Sequence, residues 1–144
     1  MNAIDLPILN PRILPVAGQS LHTPCFFPSV SSVKTNLAPR AYLKFLKTLM
    51  MPSFLVSAYD VQFNSLLGKR ISRKMVRDAA VLGSIILMDS GGYESYWRHD
   101  RSWNRRMYFD ILKSTAPQLA FSFDYNHDKG RGLRQSVTQI GKSI

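Results

Sequence analysis

The chain has 144 residues, 45% of them hydrophobic and eight of them Phe, which is enough for one domain with a real core and argues against disorder. Nineteen Lys and Arg against nine Asp and Glu give a net charge of +10, and so basic a chain, with a pI near 10.1, is drawn to polyanions. No apolar stretch reaches transmembrane length, and the opening Met-Asn-Ala-Ile-Asp lacks the basic region and apolar core of a secretory signal, so the expectation is a cytoplasmic protein without a membrane partner.

In chain order, residues 1–12 are Pro-rich and read as irregular, and the whole segment 1–21 is set apart from the main unit. Residues 13–16 and 25–33 read as short strands, broken by the Gly18 turn and by Pro24 and Pro28. Cys25, the one cysteine, cannot close an intrachain disulfide and in Pro-Cys-Phe-Phe-Pro reads as a small buried apolar residue. Pro39 suits the first turn of a helix whose apolar stripe is Tyr42, Leu43, Phe45, Leu46, Leu49 and Met50, ending by Pro52. A strand over 54–58 runs into Tyr59-Asp60, where Asp60 reads better as the cap of a helical turn than as a site residue. Ser72 caps a helix with Met75, Val76, Ala79 and Ala80 on one side, closed by Gly83. Residues 85–88 show no polar alternation and read as a strand covered on both faces. Ser102 or Asn104 caps a helix with Met107, Tyr108, Ile111 and Leu112 inward, ending before Pro117. A last strand spans 119–123. Strand and helix alternate three times, which predicts an α/β fold with a parallel sheet. Residues 126–144 read as a loop and one weak helix, where the pattern stops rather than finishes.

Three of the predicted strands deliver an aspartate at or just past their carboxyl ends: Asp60, Asp89 and Asp124. In parallel α/β folds ligands bind at that edge of the sheet. The richest of the three is Asp89-Ser90-Gly91-Gly92-Tyr93, which adds a hydroxyl, two glycines that let a flat ligand approach the main chain, and an aromatic stacking face. The same residues also suit an ordinary strand-ending turn. Lys69, Arg70, Arg73, Lys74 and Arg77 fall within nine residues, and Arg70, Arg73, Lys74 and Arg77 share one helix face. Arg98, Arg101, Arg105 and Arg106 form a second cluster beside Trp97 and Trp103. A solvated helix face accounts for many such runs, but two clusters flanking the Asp89 loop favour phosphate contacts. The three histidines are far apart, and Asp124-x-x-His127-Asp128 lacks the spacing of a known metal site, so no metal site is read.

Over residues 22–125 the sequence resembles the tRNA-guanine transglycosylases, which exchange a guanine in tRNA for a 7-deazaguanine base on the way to queuosine or archaeosine. The resemblance lies in Thr23-Pro-Cys-Phe-Phe-Pro-Ser-Val-Ser-Ser-Val-Lys34, in Asp89-Ser-Gly-Gly-Tyr93, and in Phe123-Asp124, in that order. It implies a (β/α) barrel of TIM type, of which a chain this short supplies about the first half, because a full barrel needs about 250 residues. It implies that Asp89 is the general acid/base, that Tyr93 stacks on the purine beside Ser90, Gly91 and Gly92, and that Asp124 accepts from the purine ring N–H and exocyclic amine. The nucleotide would be flipped out to reach them. Arg70, Arg73, Lys74 and Arg77 would hold phosphates.

Glu94 stands where the family usually has Gln, which sets a second negative charge beside Asp89, and Tyr125-Asn126 replace Glu-Cys. The family's nucleophilic Asp and its Cys/His zinc ligands lie downstream of the resembling region, and nothing after Asp124 resembles them. The expected partners are tRNA, a guanine or 7-deazaguanine base, and a missing C-terminal half or a homo- or heterodimer partner, with no cofactor held by this chain itself. The alternatives are a relative that inserts deazaguanines into DNA and a non-catalytic nucleic-acid-binding or partner subunit.

Overall fold

The computed structural model describes residues 11–33, 35–63 and 71–123. The described chain opens with an antiparallel hairpin of β1 (Arg12–Val16) and β2 (Gln19–Thr23), paired from Arg12 opposite Thr23 to Val16 opposite Gln19. Ala17 and Gly18 make the turn at φ 45° and 80°, the left-handed pair that matches strand twist in two-residue hairpins. The sequence predicts only the first of these strands and sets residues 1–21 apart. Instead Val16 and Leu21 are buried with Ile85, Phe27 and Leu119, which ties the hairpin to the main sheet.

The strand expected over 25–33 shrinks to β3 (Ser29–Val30). Pro24 and Pro28 have no N–H to give to a ladder, and of the stretch between them only Phe27 turns inward. Cys25 is exposed and Phe26 is 77% exposed, so Cys25 is not the buried residue its apolar setting suggests.

Helix α1 (Pro39–Thr48) starts on Pro39 and buries Leu43 and Leu46. Phe45, Leu49 and Met50 are exposed, contrary to the predicted stripe. Phe45 lies off the Leu43–Leu46 line, and Leu49 and Met50 follow the helix end, where Met50 turns to φ 51°. Strand β4 (Ser53–Ser57) passes without a loop into α2 (Ala58–Phe63). Helix α3 (Arg73–Val81) is capped by Ser72, whose Oγ accepts from the Met75 N–H at 3.2 Å. Strand β5 (Ile85–Asp89) leads to the short α4 (Gly92–Trp97). Helix α5 (Arg105–Thr115) is capped by Asn104, whose Oδ1 accepts from Met107 at 3.1 Å. Only Leu119–Ala120 of the last predicted strand form β6, although Phe121 still donates to the Met88 carbonyl at 3.0 Å.

Strands β3, β4, β5 and β6 lie side by side in chain order, all parallel. Side chains alternate across a strand. The face carrying Val30, Phe54, Val56, Ile86 and Met88 shares one core with Leu43 and Leu46 of α1, Val61 of α2, Val76 and Ala79 of α3, and Tyr108 and Ile111 of α5. All three crossovers therefore stack a helix on the same side of the sheet. Each fully buried large apolar side chain contributes about 1.5–3 kcal/mol, so this layer dominates the stability of the described unit.

On the opposite face Leu55, Leu87 and Leu119 stand in one register row. Each is only half-buried, because the hairpin covers just the end near Ile85 and Leu119. The expectation that residues 85–88 are covered on both faces holds for Ile85, Ile86 and Met88 and fails at Leu87. Among the described residues no helix is long and apolar enough to cross a membrane.

Candidate functional site

Parallel pairing brings the carboxyl ends of β3, β4 and β5 to one edge. Ser57 and Asp89 are register neighbours there, and Ser31 and Ser32 follow directly on β3. Because α2 starts as β4 ends, Asp60 is carried to the same edge. Two carboxylates are buried at it, Asp60 at 1% and Glu94 at 3% exposure. Glu94 accepts from the Ser31 hydroxyl at 2.6 Å through Oε1 and from the Ser57 hydroxyl at 2.8 Å through Oε2. Asp60 accepts from the Ser32 backbone N–H at 2.7 Å and from the Ser32 hydroxyl. The Ser32 Oγ in turn accepts from Arg98 Nη2 at 2.8 Å. Hydrogen bonds to a charged group contribute about 1.5–3 kcal/mol each, and a buried carboxylate without them is strongly unfavourable. The three serines are therefore what permit the two acids to leave water.

Burial, with the charge of Glu94 adding to it, pushes the Asp60 carboxyl up to about 6, against the lowering effect of its Ser32 bonds and of Arg98. One expectation changes here. Asp60 does not cap a helical turn: α2 begins two residues earlier, and the carboxylate reaches across to the loop after β3. Glu94 takes its hydrogen bonds from Ser31 and Ser57, and its charge helps to raise the Asp60 carboxyl.

The loop after β5 is seated on α2. Gly91 has φ +78°, and a Cβ placed on it would lie 2.6 Å from Tyr59 Cβ and 2.7 Å from the Tyr59 nitrogen. Only a residue without a side chain allows that approach. Asp89, half-buried, accepts from the Gly91 N–H at 3.1 Å. Ser90, Gly91 and Gly92 are buried, with Ser90 Oγ accepting from Gly92 N at 3.3 Å and Ser90 O accepting from Trp103 Nε1 at 2.9 Å. The Trp103 ring meets Tyr59 and Phe63 edge-on at 5.6 and 5.7 Å. Tyr59 donates to Asp100 Oδ2 at 2.8 Å; burial and that bond push its phenol well above the ordinary value. Bonds from the Ser102 hydroxyl and N–H hold the Asp100 carboxyl low. Of the described residues predicted for the base pocket, Asp89 and Tyr93 are thus the ones whose side chains have surface to offer a ligand, Tyr93 being 51% exposed.

Asp124 and Arg70 lie outside the described residues. On α3, Arg73 donates to Gln62 of α2 at 3.0 Å, Lys74 pairs with Asp78 at 2.8 Å, and Arg77 is exposed. The bond from Lys74 holds the Asp78 carboxyl low. Among the described residues no three of His, Cys, Asp and Glu come together in a way that could hold a metal ion.

Sequence reasoning missed the part played by Ser31, Ser32, Ser57 and Glu94. A usable signal exists in the hydroxyl that ends the run over 53–57 and the Ser-Ser pair after Val30, each at the mouth of a strand. Arg98 is assigned to a surface cluster by its neighbours, and only the fold brings it to Ser32. The chain matches no protein-family model and no curated protein.

Proposed function

We propose that this chain forms the first part of a (β/α) barrel of the tRNA-guanine transglycosylase type and supplies its nucleobase pocket. The observation that carries the reading is the Asp89-Ser90-Gly91-Gly92 turn at the carboxyl end of a central parallel strand, its backbone pressed onto Tyr59 with the half-buried Asp89 beside it. The sequential strand order with a helix of every crossover on the same face supports closure into a barrel, since doubly wound sheets reverse their order and place helices on both faces. The half-covered row of Leu55, Leu87 and Leu119 is the surface that further strands would enclose.

In this reading Asp89 moves the proton between the leaving guanine and the incoming base, and Tyr93 stacks on the purine. Asp124 accepts from the adjacent ring N–H and amine that distinguish a guanine edge from an adenine edge. The attacking carboxylate comes from outside the resembling region. The family's zinc site does not fit the residues present, because the chain has a single cysteine and its described residues gather no ligand cluster.

Base binding and exchange separate the roles. By calorimetry the chain should bind guanine and 7-deazaguanine in preference to adenine, and Asp124→Asn should abolish the preference, since an amide offers one acceptor to two donors. With the missing half supplied in trans or by fusion, Asp89→Asn should keep base binding and lose labelled-guanine incorporation into tRNA by roughly 10²-fold or more. Equal binding of guanine and adenine by the unaltered chain refutes the reading.

A further inference from the structure

We propose that the outer face of α4 is a stacking platform for single-stranded RNA, continuous with the Asp89 site. The inference rests on the base-exchange reading, because a nucleotide can be flipped only where its neighbours are unpaired or unstacked and need a surface. Tyr93, Tyr96 and Trp97 are 51%, 52% and 45% exposed, a large aromatic area for one six-residue helix to leave in water. Tyr96 and Trp97 follow Tyr93 by three and four positions, the spacing of neighbours on one helical surface. Ring centroids are 6.2 Å apart for Tyr93 and Trp97 and 5.6 Å for Tyr96 and Trp97, both edge-to-face. The three rings form one patch that begins four residues after Asp89.

The charge around the patch selects the occupant. Glu94, the acid of α4, is turned inward onto Ser31 and Ser57. Asp100, the acid that follows the helix, is engaged by Tyr59 and Ser102. Arg98 and Arg101 are exposed just past the helix end, with Arg98 anchored on Ser32 at the site's own edge. Exposed rings with arginines beside them match a polyanion that also offers flat faces, which is a single strand; a duplex presents phosphates but keeps its bases stacked. A second copy of this chain, at +10, is repelled from the same surface. Trp103, next to Trp97 in the sequence cluster, takes no part, being 7% exposed and bonded to Ser90.

The chain contains two tryptophans, one exposed and one buried, which gives a direct readout. Titrating the full chain with a single-stranded RNA of about 12 nucleotides should quench the Trp97 emission, and Trp97→Ala should weaken binding about tenfold with the salt slope unchanged. Trp97→Phe should restore most of the affinity. Arg101→Ala should lower the salt slope by about one unit. Duplex RNA of the same length should bind Trp97→Ala as well as it binds the unaltered chain. Undiminished single-strand binding by Trp97→Ala overturns the proposal, as does tighter binding of single-stranded DNA of the same sequence, or self-association that Trp97→Ala abolishes. Guanine preference measured on the same variants separates the two readings: its absence with the Trp97 effect intact defeats base exchange alone, and its presence without the Trp97 effect defeats the platform alone.

Discussion

At the carboxyl edge of the sheet, Glu94 and Asp60 are buried and held by serines 28 to 63 positions away in sequence. On α3, Lys74 is exposed and among the described residues pairs with Asp78, one helical turn on. Both regions are rich in charge, yet they differ in what their charges do. A buried carboxylate that binds the ends of two strands to a helix fixes the positions of those ends, since any shift leaves a polar group without its partner in a dry site. An exposed pair along one helix fixes nothing beyond itself and remains free to exchange Asp78 for another anion. The first region is built like a site scaffold, and the second like a surface that meets its ligand through charge alone.

The strongest way to break this contrast is Gly91→Ala. The new methyl would collide with both the Tyr59 side chain and its backbone nitrogen, at a φ of +78° that an L-residue adopts only at a cost. Overpacking against backbone adds to that strain, so a loss of about 3–5 kcal/mol is expected. Urea denaturation followed by circular dichroism measures it. Gly18→Ala, at φ +80° but with open space around it, is the matched control and should cost far less. Equal losses at the two glycines would mean that the contact with Tyr59 does not govern the loop.

Asp60 tests whether the buried acids act as a scaffold at all pH values. Its carboxyl is raised from 3.8 to about 6, so the folded chain binds this proton more tightly than the unfolded chain does. Stability from this group is complete below about pH 4 and falls as the pH rises towards 6, by up to about 3 kcal/mol. The lowered carboxyls of Asp78 and Asp100 act in the opposite sense, with their contribution present above 3.8 and lost only below it, so they do not mask the window. Asp60→Asn should flatten the stability profile between pH 4 and 6, its amide standing in for the protonated acid beside Ser32. A wild-type profile already flat across that window would show that Arg98 and the Ser32 bonds outweigh the burial of Asp60.

The parts of this architecture that depend on local chemistry are legible in the sequence. Ser72 and Asn104 cap their helices because a short polar side chain satisfies a free N–H wherever a helix begins. Asp89 ends β5 because an apolar run without alternation stops there. What is not legible depends on long-range placement. Nothing local to Glu94 says that its partners are Ser31 and Ser57. Cys25 fails for a related reason: an apolar composition predicts burial only where a strand forms, and Pro24 and Pro28 prevent one. The hairpin's return strand, Gln19–Thr23, has one buried residue, Leu21, too few to give a periodic signal.

The basic face of α3 gives the smallest expected effect and the sharpest view of the second region. Lys74 is already neutralised by Asp78 and Arg73 is engaged by Gln62, so a phosphate must compete with partners inside the protein. Lys74→Ala should leave the urea midpoint essentially unchanged. Asp78→Ala should release Lys74, tightening RNA binding and steepening its salt dependence by about one unit if the face contacts phosphate. Asp110 on α5 is also exposed, and Asp110→Ala adds the same unit of net charge without freeing Lys74. An Asp78→Ala chain that binds RNA with the salt slope of Asp110→Ala would show that α3 contributes only to the general field of the protein, and that its basic face is there for water.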